Sequence, residues 1–326
     1  MGRSLEGKVA LVTGASQGGT GRAVAIRFAA EGAKVAITAP ELQGLEITLA
    51  AIEEIGATGI VLPADLGDPE GARMTLVADT EAAFGPIDIL VNNAAASLFK
   101  PVEDWTLEEL DYVQQVNVWA GLLMVGQVLP GMRERGQGWI LNLTSSAAEV
   151  PPGPPYGWLA KAGYGTYGVT KAAINRLTSI EAAENEGLGV AVNALTPQAA
   201  IATTEVMASS DVAEMGGEGD TSWIFEPVDT MAEAALALCT GDPAELTGRI
   251  AYSLQLLVEL DRPVYDLTGT KLVEGFQPAD LPAQIRRQYE FHVTSGGPDM
   301  LSLNRPSTPL PEVIAGRDKP RAAAST

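Results

Sequence analysis

The chain has 326 residues, 46% hydrophobic and 19% charged, which is enough apolar material for one large core and excludes a globally disordered polymer. A formal net charge of −20 opposes binding to phosphate backbones, so nucleic acid is not expected as a partner. The single cysteine, Cys239, excludes an intrachain disulfide, residues 1–8 lack the apolar stretch of a signal peptide, and no run approaches the ~20 apolar residues that span a bilayer, so a soluble, cytoplasmic protein is expected.

In chain order, the patterning predicts a strand at 9–13, a helix at 23–31, a strand at 35–38, a helix at 42–55 and a strand at 59–62. A helix at 69–84, a strand at 87–91, a long helix at 107–129, a strand at 139–143, a helix at 167–186 and a strand at 190–195 follow. Several of these strands are apolar at successive positions, as strands covered on both faces are. The alternation therefore predicts a doubly wound, parallel α/β sheet of Rossmann type, three layers deep, over residues 1–260. Residues 198–220 break the rhythm with small and acidic side chains and read as a lid. A helix at 228–239 and a last strand at 249–253 resume the pattern. From Arg262 onward prolines punctuate the chain, so residues 261–326 are expected to form a largely irregular extension that covers the pocket or clasps a neighbouring subunit.

Between the first strand and its helix runs Thr13-Gly14-Ala15-Ser16-Gln17-Gly18-Gly19-Thr20-Gly21. Glycine backbone lets a pyrophosphate approach closely, and the helix that follows presents unpaired N–H groups and a positive dipole end. A tight strand-to-helix turn also needs glycine without any ligand, so the loop alone decides nothing. Asp65 and Leu66 follow the third strand, and Asn92-Asn93-Ala94 follows the fourth, at the carboxyl ends where such sheets bind dinucleotides.

Tyr167 and Lys171 stand four residues apart at the start of a predicted helix and share one face. Bringing a phenol from its ordinary pKa of ~10 to neutrality takes roughly 4 kcal/mol. A cation at ~4 Å contributes about that much at an effective dielectric near ~20. Lys171 together with a positively charged nicotinamide is therefore expected to draw the phenol toward neutrality. Ser145, at the end of the fifth strand, is placed to donate to a substrate oxygen, although a strand-end serine is also a common turn former.

In this order the elements resemble the short-chain dehydrogenase/reductase family from about Gly7 to Thr204. Thr13, Gly14 and Gly18 match the family's coenzyme pattern T-G-x-x-x-G-x-G, while Thr20 holds the last glycine place and Gly21 comes one residue late, as if one residue were inserted. Asn117, Ser145, Tyr167 and Lys171 look like the family's catalytic tetrad. The resemblance implies hydride transfer between nicotinamide and an alcohol/carbonyl pair, with Tyr167 as acid or base and Ser145 polarising the oxygen. It also implies that Lys171 grips the nicotinamide ribose and that Asn117 holds a relay water. The coenzyme contacts it implies are Thr13, Gly14, Ser16, Gln17, Gly18, Gly19, Gly21, Asp65, Leu66, Asn93, Ala94, Tyr167, Lys171, Pro197 and Thr203.

The chain departs from the family in three places. Ala39-Pro40 ends the second strand where members carry an acid for NAD or a base for NADP, and Gln17 replaces a common basic residue. Without a cation for a 2′-phosphate the balance leans to NAD over NADP, with Glu41 in reach of the ribose. Residues 147–166, with Tyr156, Trp158, Tyr164 and a run of prolines, lengthen the segment between serine and tyrosine and are expected either to pack on the surface or to wall an apolar substrate pocket. Gln198 stands after Pro197 where the family has glycine. A lyase, dehalogenase or epimerase on the same scaffold, or a non-catalytic nucleotide-binding protein, are the alternative functions. No metal is expected, because His292 is the sole histidine. A homodimer or homotetramer through the helices bearing Asn117 and Tyr167 is implied by the resemblance.

Overall fold

The computed structural model describes residues 3–157, 159–201 and 225–295. Its centre is a seven-stranded parallel sheet. The strands are β1 (Val9–Thr13), β2 (Lys34–Thr38), β3 (Gly59–Val61), β4 (Ile89–Asn92), β5 (Gly138–Leu143), β6 (Val190–Thr196) and, beyond a two-residue pair β7 (Ala200–Ile201) and β8 (Phe225–Glu226), β9 (Ile250–Tyr252). Their order is β3-β2-β1-β4-β5-β6-β9. From β1 the chain first builds outward through β2 and β3, then returns to start again at β4 on the other side. The connections leaving β1 and β4 therefore run in opposite directions, and a crevice opens where Thr13 and Asn92 end their strands.

Alternate residues of each strand feed two separate cores. Ala10, Val12, Val35, Ile37, Ile89 and Val91 pack under α1 (Thr20–Ala30), α2 (Leu42–Glu54) and a later helix, Val228–Thr240. Val9, Leu11, Ala36, Leu90, Ile140 and Val192 pack under α3 (Leu76–Phe84), α5 (Ala120–Arg135) and α6 (Gly165–Glu184). Burial on both faces explains why these strands are apolar at consecutive positions.

The long helix ahead of β5 is richer than its pattern. It begins as α4 (Leu107–Gln114), secured by a capping box between Thr106 and Glu109, widens into a π-turn at Gln115–Trp119 and continues as α5 to Arg135. The expected end at 129 is corrected: the helix carries Pro130 inside it and stops at Gly136, whose φ of 62° is left-handed. The expected helix at 69–84 is likewise shorter, because Asp68 and Gly71 make a turn before α3 and only a short 3-10 segment, Ala72–Met74, precedes it.

The prolines after Arg262 conceal a helix. Following α7 (Val228–Thr240) and α8 (Ser253–Glu259), residues 262–280 are mostly turns, but α9 (Leu281–Ser295) is regular, with Pro282 in its first turn where a missing N–H costs nothing. Val264, Leu281 and Ile285 are fully buried in the same core as α1 and α7. A buried ion-pair network holds this segment: Glu233 of α7 accepts from Arg27 of α1 at 3.1 Å and from Arg262 at 2.7 Å. Residues 296–326, nearly half of the expected arm, lie outside the described residues, as do most of the expected lid and Thr203. Among the described residues no helix is long and apolar enough to cross a membrane.

Candidate active site

The glycine loop is built by backbone demands that side chains then lock. Gly14 has φ of 65° and Gly18 of 92°, which only glycine adopts without strain, and a Cβ on Gly14 would sit 2.7 Å from Ala94 Cα. Asn93 Nδ2 donates to the carbonyls of Thr13 and Gly14 at 2.9 and 3.0 Å. Thr13 Oγ1 accepts from the amides of Asn93 and Ala94, both at 3.0 Å. The side chains of Thr13 and Asn93 thus hold the loop against the end of β4.

The insertion seen in the sequence is absorbed at Gly21. This residue lies inside α1 against the Gly14 carbonyl and Asn93 Nδ2, so it performs the close helix-to-strand packing that the pattern asks of its last glycine. A Cβ at Gly19 would meet nothing. Gly19 is the N-cap of α1, with no side-chain cap and no acid in the first turn, which leaves the helix N-terminus facing the crevice for an anion. Ser16 leans on α2 where Gly44 has no side chain to obstruct it. These features fit a dinucleotide pyrophosphate. Gly21→Ala would drive a methyl group into backbone at this contact, and is expected to weaken coenzyme binding at least about tenfold and destabilise the fold by ~1–3 kcal/mol, measured by fluorescence titration and denaturant unfolding.

The far end of the crevice is acidic. Asp65 Oδ1 accepts from Gly67 N at 2.8 Å and from the Tyr112 hydroxyl at 3.5 Å. Burial, then the Asp65 charge, pushes the Tyr112 phenol up, and Glu41 adds to the effect. Leu66 is buried, its carbonyl accepting from Arg73 at 2.6 Å. Tyr112 had no signal in the sequence beyond a half-polar helix face.

The four tetrad positions converge beside this crevice. Tyr167 lies in the first turns of α6, and the hydroxyl of Ser145, the N-cap of a short turn after β5, acts to lower the pKa of its phenol. Gly168 allows that turn to approach, since a Cβ there would overlap the Ala147 carbonyl. Lys171 is buried, with its Nζ 5.5 Å from the Tyr167 ring centroid and donating to the Leu143 carbonyl at 2.8 Å. Asn117 sits in the π-turn: its Oδ1 accepts from Ala96 N at 2.7 Å and its Nδ2 donates to Ala96 O and Thr170 Oγ1, both at 3.1 Å.

In the coenzyme-free protein, burial dominates the electrostatics. Burial pushes the Tyr167 phenol up to about 12, a rise that hydrogen bonds from Ser145 and Ser97 oppose, and burial pulls Lys171 down to about 8. Lys171 therefore does not draw the phenol to neutrality in the protein alone. Both groups have lost their water, and desolvation outweighs an attraction acting across the ring rather than at the oxygen. As arranged, the phenol and the Ser145 hydroxyl can both hydrogen-bond one carbonyl oxygen, and the ammonium can serve a ribose.

The structure adds residues that motif reading missed. Ser97 adds to the lowering of the same phenol's pKa, and Phe99 packs edge-on to Tyr167 and Tyr164, with centroids 5.4 and 4.7 Å away. Both lie in the loop after β4, which has no periodicity to betray them. Of the aromatics of the 147–166 insertion, Tyr156 is exposed, Tyr164 joins the Phe99 cluster and Trp158 lies outside the described residues. After Pro197, Gln198 turns inward where glycine was expected: its N–H donates to Ser253 Oγ at 3.0 Å and its Oε1 accepts from Gln255 at 2.7 Å. Asp261 is the one non-glycine at positive φ among the described residues, so this turn needs no glycine. Among the described residues no group of three or more potential metal ligands occurs. The ring of His292 is half-buried, and burial pulls it down to about 4.

A family model for short chain dehydrogenases matches residues 8–214. The chain belongs to the short chain dehydrogenase family. This short chain dehydrogenase is 38% identical over 196 residues to a short chain dehydrogenase of Pseudocercospora fijiensis, a match spanning 59% of this chain and 60% of that protein. It is 33% identical over 251 residues to the D-threitol dehydrogenase of Mycolicibacterium smegmatis, spanning 75% of this chain and 90% of that one. A metagenomic short-chain oxidoreductase solved in complex with NADP superposes with a TM-score of 0.60 at 26% identity, covering 75% of this chain and 96% of the other. Membership makes the chain a nucleotide-binding oxidoreductase of small molecules, in a family that uses NAD(P).

Proposed function

We propose that this short chain dehydrogenase transfers hydride reversibly between nicotinamide and the carbonyl or alcohol carbon of an apolar small molecule. The observation that carries the reading is the Tyr167 ring flanked by the ammonium of buried Lys171, beside a glycine loop fitted to a pyrophosphate. Tyr167 is the acid or base and Ser145 polarises the substrate oxygen. Lys171 would hold the ribose, and Asn117, which fixes the loop through Ala96 and α6 through Thr170, would hold a relay water. The nicotinamide, when bound, supplies or accepts the hydride. The glycine loop residues Gly14, Ser16, Gln17, Gly18, Gly19 and Gly21 surround the pyrophosphate, with Asp65, Leu66, Asn93, Ala94 and Pro197 along the rest of the coenzyme.

Coenzyme preference follows from charge. Exposed Glu41 and Asp65 stand near Tyr112 at the adenosine end, and Ala39-Pro40 offers no cation to a 2′-phosphate, which supports NAD over NADP. Exposed Phe99, packed on the ring of Tyr167, and exposed Leu98 beside it in the chain support an apolar substrate. Exposed Trp119, Leu122, Val169 and Ile180 on the helices that carry Asn117 and Tyr167 support a homodimer or homotetramer formed there.

Fluorescence titration with NADH and NADPH tests the reading. NADH is expected to bind at least about tenfold more tightly, with Lys171→Ala weakening it by a further factor of about ten or more. Tighter NADPH binding would overturn the coenzyme preference, and binding of neither would overturn the function.

A further inference from the structure

The turn that leaves β6 is anchored by a carboxyl that the proposed reaction does not use. Thr144 N donates to the Leu195 carbonyl at 2.8 Å, so the turn Pro197-Gln198-Ala199 follows β6 beside the Ser145 segment, at the carboxyl edge of the sheet. Two amides of that turn point inward: Gln198 N donates to Ser253 Oγ and Ala199 N to Glu226 Oε1, each at 3.0 Å. Ser253 Oγ stands 2.9 and 2.8 Å from the two carboxyl oxygens of Glu226. Thr230 Oγ1, in the first turn of α7, stands 2.5 Å from Glu226 Oε2 and 2.7 Å from the Pro227 carbonyl. Glu226, Thr230 and Ser253 are fully enclosed.

A count of protons fixes the state of this carboxyl. Three links join oxygen to oxygen: Ser253 to the carboxyl, Thr230 to the carboxyl, and Thr230 to the Pro227 carbonyl. Each link needs a proton, and the two hydroxyls supply one apiece. The third comes from Glu226 when it is neutral, donating from Oε2 to Thr230, which donates to Pro227, while Ser253 donates to Oε1. An ionised Glu226 leaves two oxygens, 2.5 or 2.7 Å apart, facing each other with no hydrogen between them. It would also be a buried charge without a cation, since the turn after β6, α7 and α8 touch it with amides and hydroxyls alone. The charged side chains of those helices are engaged elsewhere: Glu233 with Arg27 and Arg262, and Glu259 with Arg249, while Asp229 feels the charge of Asp266. Burial accordingly pushes Glu226 up to about 7, against the hydrogen bonds from Ala199, Thr230 and Ser253. Such a charge is driven toward water, and the two-residue pairing of β7 with β8 is the part of the network that opens at least cost, which releases the turn.

We propose that Glu226 is a positioning residue for coenzyme binding: as the neutral acid it completes the hydrogen-bonded chain that sets the turn beside Ser145, and its ionisation frees that turn and weakens the coenzyme. The proposal rests on the reading of the crevice as a coenzyme site with Pro197 along it. No proton of Glu226 enters the hydride transfer.

The experiment titrates wild type, Glu226→Gln and Glu226→Met with NADH, followed by fluorescence, from about pH 6 to about pH 9. The neutral form lies below the raised value, so wild-type affinity is expected to fall about tenfold as pH rises through about 7. In Glu226→Gln the amide nitrogen donates to Thr230 at every pH and the amide oxygen still accepts from Ala199. That fall should then disappear, with affinity near pH 6 within about twofold of wild type. Lys171, drawn down to about 8 by burial, adds a separate fall at higher pH that all three proteins share. Glu226→Met, which offers neither donor nor acceptor, is expected to bind about tenfold more weakly without the step near 7. A second readout needs no coenzyme: the infrared carbonyl band of a neutral carboxylic acid, assigned by its loss in Glu226→Gln, should fade as pH rises through about 7. A step of equal size in Glu226→Gln, or no such band in wild type near pH 6, overturns the proposal. Wild type that binds NADH without the step removes the proposal alone, and wild type that binds no NADH at any pH removes the coenzyme reading and the proposal with it.

Discussion

Tyr167→Phe is expected to lower kcat for alcohol oxidation about a thousandfold while leaving coenzyme affinity within about twofold of wild type, as measured by steady-state kinetics beside a coenzyme titration. The substitution deletes one oxygen atom from a site that otherwise keeps its shape. The ring continues to pack against Phe99, and the backbone carbonyl of residue 167 continues to accept from Thr170 Oγ1 at 2.8 Å. What disappears is the group that exchanges the proton. Ser145 and Ser97 cannot replace it, since a hydroxyl of ordinary acidity is a far weaker acid than a phenol. The pH dependence follows from the sign of the shift. With burial holding the phenol up at about 12 in the coenzyme-free protein, the protonated form prevails across the neutral range. Reduction, which uses the proton, should therefore show no alkaline fall near neutrality, and oxidation, which needs the phenolate, should climb with pH until the titration is complete.

The scaffold of this site was legible because its signals are local and repetitive. β1 occupies 9–13 as its apolar run implies, and α6 carries Tyr167 and Lys171 on one face as their spacing implies. The glycine loop announced itself, and even its irregularity was visible, although only the packing of Gly21 against Gly14 shows how an inserted residue is absorbed. Local reading failed where a residue's meaning depends on a distant partner. The helix expected to end at 129 runs on through Pro130 and buries Val128, Leu129 and Met132, and Pro282, one of the prolines expected to keep the tail irregular, sits in a helix's first turn. The segment after Arg262 read as a loose tail because nothing in its sequence shows that Glu233 will face both Arg262 and Arg27. Ser97 and Phe99 lie in a loop, where the identity of a side chain follows no period at all. The high phenol of the coenzyme-free protein was hidden for another reason: Coulomb attraction can be counted from spacing, whereas desolvation, which depends on how deeply α6 and the loop after β4 bury the pair, is not written in spacing.

That same desolvation makes Lys171→Met an informative pair of opposites: the variant should be more stable than wild type without coenzyme and about a thousandfold less active with it. The Lys171 side chain is fully enclosed, and burial pulls its pKa from 10.5 down to about 8. Between those values the folded chain holds fewer protons at this site than the unfolded chain does, so stability recovers as pH rises from about 8 to 10.5 and is diminished throughout the range below. At roughly 1.4 kcal/mol per unit the penalty at neutral pH is ~3 kcal/mol. Methionine keeps the apolar stem and removes the charge, but it leaves the Leu143 carbonyl without the donor it has at 2.8 Å, which returns ~1 kcal/mol of the gain. A net stabilisation of ~1–2 kcal/mol should raise the thermal midpoint by about 2–8 °C at neutral pH, and above pH 10.5 the order should reverse, because only the missing donor to Leu143 then separates the two. Saturating coenzyme should narrow or reverse the order of the two midpoints, because only the lysine form gains the full binding free energy. A lysine kept where it costs stability in the free protein, and repaid only when a ribose arrives, is what a functional position looks like. If Lys171→Met instead loses stability at neutral pH, the ammonium is a structural donor to β5, and its proposed role at the coenzyme loses its thermodynamic support.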